Sequence, residues 1–123
     1  MDHVRTFLSA QAATFALAAL IHAGVLAEGF QHRQASIAEG VIAIVLALGL
    51  LAGVTAPRWS RTFGLAAQVF ALVGTLLGVV MIAIGVGPQS GFDKALHALM
   101  LTLLVGGLIV VFRVPGRLER RGA

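Results

Sequence analysis

The chain has 123 residues, of which 59% are hydrophobic and only 11% charged, against about 25% charged in an ordinary soluble domain. Its net charge of +4 does not indicate nucleic acid, because the basic residues sit at the ends of apolar runs and form no face interleaved with aromatics. Cysteine is absent, which excludes disulfides, thiolate metal sites and a cysteine nucleophile, and the length fits a single domain.

Four uncharged runs follow one another, at residues 6–27, 40–57, 62–92 and 95–112. At ~1.5 Å rise per residue, about 20 apolar helical residues cross a bilayer core of ~30 Å. In lipid only helices and closed barrels satisfy the backbone, and no period-two alternation is present. The expected fold is therefore all-α: an integral membrane four-helix bundle with helices at about 4–27, 37–55, 59–86 and 91–113.

The first helix is expected to stop near Ala27, with Gly29 as its terminating residue. Arg5 and the Val25-x-Ala27 pattern also suit a signal peptide, but the apolar run is long for one. Ser36-Ile37-Ala38-Glu39 matches a capping box and predicts the start of the second helix. Pro57 ends that helix, since the residue before a proline is pushed out of helical geometry. Trp59, between Arg58 and Arg61, has the composition of a membrane–water anchor. The third helix is stopped by Gly85, Gly87 and Pro88. Ser90 and Asp93 predict a cap on the fourth, and Pro115 follows its end.

The third helix carries a seam of small and polar residues: Gly64, Gln68, Ala71, Thr75, Gly78, Ile82 and Gly85. Their alternating spacings of four and three define one face. Gly74/Gly78 and Gly49/Gly53 each form a G-x-x-x-G, which lets helix backbones approach closely in lipid. Short connections predict an up-down-up-down order. Arg5, Arg58, Arg61, Arg113, Arg117, Arg120 and Arg121 fall on one side, and Arg33 and Lys94 on the other. The positive-inside rule then places both termini in the cytoplasm and the 1–2 and 3–4 loops outside, in the inner membrane of a bacterium.

Most ionisable side chains outside the basic ends fall in the outer half. Counting along each helix places His22, Glu39, Met81 and His97 within about one turn of the same level. Asp93, His97 and Met100 share a face of the fourth helix. Ionisable groups at membrane depth are costly and mark functional candidates. Three chemistries fit His22, Glu39, Asp93 and His97. The first is a divalent metal site of imidazoles and carboxylate, with methionine added for copper. The second is haem with His22 and His97 as axial ligands. The third is a proton-linked or ligand-gating site. Each residue also has a structural reading: Glu39 and Asp93 as cap partners, His97 paired with Asp93, and His22 in an interhelical hydrogen bond. Gln68 and Thr75 fit interhelical bonding or a pocket wall. No nucleophile with an adjacent base and no phosphate loop is present.

Length and helix count are similar to small multidrug resistance transporters. That family carries a glutamate in the middle of its first helix. Here the corresponding stretch is Phe15-Ala16-Leu17-Ala18-Ala19, so the resemblance carries no function across. The expected function is a non-enzymatic membrane protein. It would bind a small ligand, metal or haem at an outward-facing polar layer, or act as an accessory subunit or homo-oligomer. The alternatives are a proton-coupled transporter working as an oligomer and a haem-dependent membrane oxidoreductase.

Overall fold

The computed structural model describes residues 2–115. Arg117, Arg120 and Arg121, used in the charge-bias argument, lie outside them. The described residues form four α-helices: α1 (Asp2–His22), α2 (Arg33–Thr55), α3 (Ser60–Ala83) and α4 (Gly91–Arg113). A short 3-10 turn, Pro57–Trp59, joins α2 to α3. All four helices are long and apolar enough to cross a membrane, and no strand occurs among the described residues.

Three of the expected helix ends move. Helix α1 stops at His22, several residues before Ala27, because Gly24 and not Gly29 terminates it. Gly24 adopts φ 78°, a left-handed conformation open to glycine at little cost. Val25 N–H bonds Leu20 O at 3.0 Å and Gly24 N–H bonds Ile21 O at 3.0 Å, the two bonds of a Schellman motif. Helix α3 ends the same way: Gly85 has φ 81°, Val86 N–H bonds Met81 O at 2.9 Å, and Gly85 N–H bonds Ile82 O at 3.1 Å. Helix α2 begins earlier than expected, at Arg33. His32 is its N-cap, with Nδ1 accepting from Ala35 N–H at 3.2 Å. The expected Ser36–Glu39 capping box does not form, because both side chains spend their bonds on other partners across the bundle. Ser36 Oγ donates to Ala19 O at 2.9 Å. Helix α4 keeps its expected range, and Ser90 and Asp93 form the capping box the sequence suggests.

Each helix packs against two others. Helix α1 lies beside α2 and α4, and α3 lies beside the same pair, with little contact between α1 and α3. The core is Val4, Leu8, Phe15, Ala18, Ile42, Leu46, Ala67, Ala71, Met100, Leu104 and Val111. Gly49 and Gly53 face α3. A Cβ on Gly49 would lie 2.6 Å from Ala67 Cβ, and one on Gly53 2.9 Å from Ser60 Oγ. This G-x-x-x-G does what small residues do in lipid, bringing two backbones close. Gly74 and Gly78 do not share one partner. Gly74 accommodates Ile42 of α2, and Gly78 accommodates the His97 ring of α4.

The outer surface differs from that of a soluble bundle, and polar side chains are buried beside the apolar core. Ile44, Leu48, Leu51, Leu77, Val105 and Ile109 are exposed, with apolar side chains of the same kind facing outward on every helix. Gln11, His22, Glu39, Gln68, Thr75, Asp93 and His97 are buried. A surface this apolar is unstable in water and suited to lipid, where interior polar groups need partners from neighbouring helices.

Candidate functional site

The site lies where α1 ends and α2 and α4 begin. His22, the last residue of α1, bonds a carboxylate through each ring nitrogen. Nδ1 is 2.6 Å from Glu39 Oε2 and Nε2 is 2.9 Å from Asp93 Oδ1. All three side chains are buried. Glu39 reaches His22 from one turn and a half inside α2. Asp93 is held by Ser90: Oδ2 accepts from Ser90 N–H at 3.0 Å and from the Ser90 hydroxyl, while Asp93 N–H donates to Ser90 Oγ at 3.1 Å. One oxygen of Asp93 thus caps α4 and the other ties α4 to α1. The cap expected of this residue is formed, and the bond to His22 is additional to it.

An ionised carboxylate only accepts hydrogen bonds. Each of the two bonds to His22 therefore needs a proton between the partners. Two protons shared among two carboxylates and an imidazole leave one net negative charge on the cluster, whichever atoms hold them. Glu39 Oε1 has no hydrogen-bond partner among the described residues.

Two of the residues expected at this level are placed differently. His97 does not pair with the Asp93 carboxylate. Its Nδ1–H donates to the Asp93 backbone carbonyl at 2.8 Å, one helical turn back. Met81 is exposed at the rim, whereas Met100 is fully buried. The level was right, but the rotation of each helix about its axis decides which side chains meet.

A cavity of about 270 Å³ adjoins the cluster. Glu39, Thr75, His97 and Met100 line it from three helices, with Phe15 from α1. The loop 86–88 contributes to the lining, and among the lining residues Ala38 of α2 and Leu77 of α3 are exposed. His32 holds that loop through Nε2–H donating to Val86 O at 3.3 Å.

A second polar layer lies deeper, and it includes a residue the sequence reading missed. Gln11 Nε2 donates to Gln68 Oε1 and to Leu103 O, both at 2.9 Å. Gln68 Nε2 donates to Gly64 O at 3.3 Å. Gly107 has no side chain, and the two amides occupy the space it leaves. The signal for Gln11 was its phase: Gln11, Phe15, Ala18 and His22 recur at spacings of four, three and four and are all buried. Thr75 Oγ1 donates to Ala71 O at 2.7 Å, within its own helix. Between the two polar layers lie Phe15, Leu46, Met100 and Leu104, none more than 1% exposed.

As placed, His22 has no ring nitrogen free to ligate a metal or a haem iron. A ligating imidazole presents a free nitrogen lone pair, and both ring nitrogens of His22 face carboxylate oxygens. Among the described residues no group of three His, Cys, Asp or Glu side chains is arranged to hold a metal ion.

The cluster's dependence on Ser90 gives a first test. Ser90→Ala removes the α4 cap and one partner of Asp93, an expected loss of about 1–2 kcal/mol. Thermal unfolding of the two proteins in one detergent measures it. An unchanged midpoint would separate the cap from the stability of the site. No family model, curated protein or solved structure matches this chain.

Proposed function

We propose that the chain is a small multi-pass protein of the bacterial inner membrane that binds a small ligand and is not an enzyme. Its helices alternate up and down, both termini are cytoplasmic, and the Glu39–His22–Asp93 end faces outward. The observation that carries this reading is the cavity beside Glu39 and His97. Ligand sites are concave, mostly apolar and furnished with a few polar groups, and drug-sized ones measure about 300–1,000 Å³. This cavity lies just below that range, which favours a small molecule. The transporter alternative asks for polar groups running from the outer layer through Thr75 to Gln68. The Thr75 hydroxyl proton is already given to Ala71 O, and the buried apolar layer interrupts the path, so binding is the better supported reading.

The test uses 4-fluorobenzyl alcohol and 4-fluorobenzylamine as probes, with the protein in nanodiscs and 19F NMR as the readout. Wild type is expected to broaden at least one probe beyond empty nanodiscs. Ala38→Trp, a change at an exposed rim position, is expected to abolish that broadening by covering the opening. If neither probe distinguishes wild type from Ala38→Trp, the cavity is not a binding site.

A further inference from the structure

Resting on the reading of the cavity as a binding site, we infer that its ligand is a protonated amine with an apolar body. Four observations select this chemistry. The first is Glu39, which is 4% exposed, lines the cavity and has one oxygen, Oε1, without a hydrogen-bond partner among the described residues. A buried carboxylate oxygen left unpaired costs free energy that a ligand N–H recovers. The second is the character of the other buried polar atoms in the wall. His97 gives its Nδ1 proton to the Asp93 carbonyl, which leaves Nε2 as the ring atom facing the cavity side, an acceptor in that tautomer of the imidazole. Thr75 gives its only side-chain proton to Ala71 O, leaving oxygen lone pairs. These groups accept and do not donate; the amide of Gln34 is at the exposed rim. The third is charge. With one proton in each of its two bonds the cluster carries one net negative charge, and among the described residues no Lys or Arg lines the cavity. The fourth is the rest of the lining, where Phe15, Ile42, Leu77 and Met100 are apolar.

A carboxylate ligand has no proton to give and meets like charge. An alcohol has one proton and no charge. An ammonium has several N–H donors and the opposite charge, and its substituent fills the apolar part. Hydrogen bonds between charged partners are roughly twice as strong as neutral ones, so the preference for amine over alcohol is expected to be about 10-fold or more.

The experiment titrates 4-fluorobenzylamine, 4-fluorobenzyl alcohol and 4-fluorobenzoate into the protein in nanodiscs at pH 7, with empty nanodiscs as the blank. Wild type is expected to bind the amine at least about 10-fold more tightly than the alcohol and not to bind the benzoate. Glu39→Gln is expected to bring the amine down to the alcohol's affinity while the alcohol still binds, which shows the cavity intact. Alcohol binding as tight as amine binding in wild type overturns the inference while leaving the cavity reading standing. So does an amine preference that survives Glu39→Gln. The wild-type comparison decides even if the variant does not fold. A free amine and an amino-lipid headgroup offer the same ammonium. Nanodiscs of phosphatidylcholine with and without phosphatidylethanolamine separate them: competition by the second assigns the site to lipid, no competition assigns it to a free amine, and both agree with the inferred chemistry.

Discussion

His22→Ala is expected to destabilise the protein by about 2–4 kcal/mol. Removing one partner of a buried ion pair typically costs about 3–5 kcal/mol, because the charge left behind has no compensation. Here two carboxylates, Glu39 and Asp93, lose their common partner at once. The opposing consideration is the membrane. Interhelical bonds there average only ~0.6 kcal/mol, since the dissociated helices find local partners. Asp93 has such a partner in Ser90, but among the described residues Glu39 does not: its Oε1 is already unpaired and Oε2 becomes so. The charge left on Glu39 therefore dominates, and the expected loss stays well above a single interhelical bond. The double variant His22→Ala/Glu39→Gln follows from the same logic. By neutralising the orphaned charge it is expected to recover part of the loss, giving a coupling energy of about 1 kcal/mol or more. Reversible unfolding of the four proteins in mixed micelles measures the cycle. Additive effects would show that His22 and Glu39 are not coupled.

Gly107→Ala is expected to cost about 2–3 kcal/mol. A Cβ there would overlap Gln68 Oε1 and Gln11 Nε2. Both atoms end flexible side chains, and on the surface such a clash would be relieved by rotation. These two are fully buried and hydrogen-bonded to each other. Moving them breaks that bond and the bond to Leu103 O, adding unpaired amides to the ~1–3 kcal/mol typical of overpacking. Gly91→Ala is the control, because a Cβ on Gly91 meets nothing within 4 Å. It is expected to be neutral within about 0.5 kcal/mol. Unfolding midpoints in one detergent compare them. Equal midpoints for the two alanine variants would mean that the glutamine layer adjusts freely.

The four helices were legible because each contains a long run without Asp, Glu, Lys or Arg, a property that needs no knowledge of partners. Their ends were less so. Two glycines stood near the end of the first helix, and only backbone geometry distinguishes Gly24, which caps it, from Gly29. The Ser36–Glu39 spacing satisfied a local rule and misled for a physical reason. A capping box competes with any stronger partner the side chains can reach, and His22 is such a partner for Glu39. Asp93 shows the converse, since its two oxygens serve the cap and the cluster together. Counting residues from the helix ends gave the depth of His22, Glu39 and His97. It could not give helix rotation, which turns Met81 outward and brings Asp93 to His22. The cavity was not legible at all, because its lining comes from all four helices and depends on their relative rotation and spacing.

The account turns on a membrane-spanning bundle whose Glu39–His22–Asp93 end faces outward. The absence of cysteine from the chain makes a direct measurement available without background. Single cysteines at Glu28 and at Thr55, both exposed and at opposite ends of the bundle, are treated in intact spheroplasts with a membrane-impermeant maleimide. The account expects Glu28→Cys to be labelled in intact spheroplasts and Thr55→Cys only after lysis. Labelling of Thr55→Cys before lysis, with Glu28→Cys protected, would contradict it.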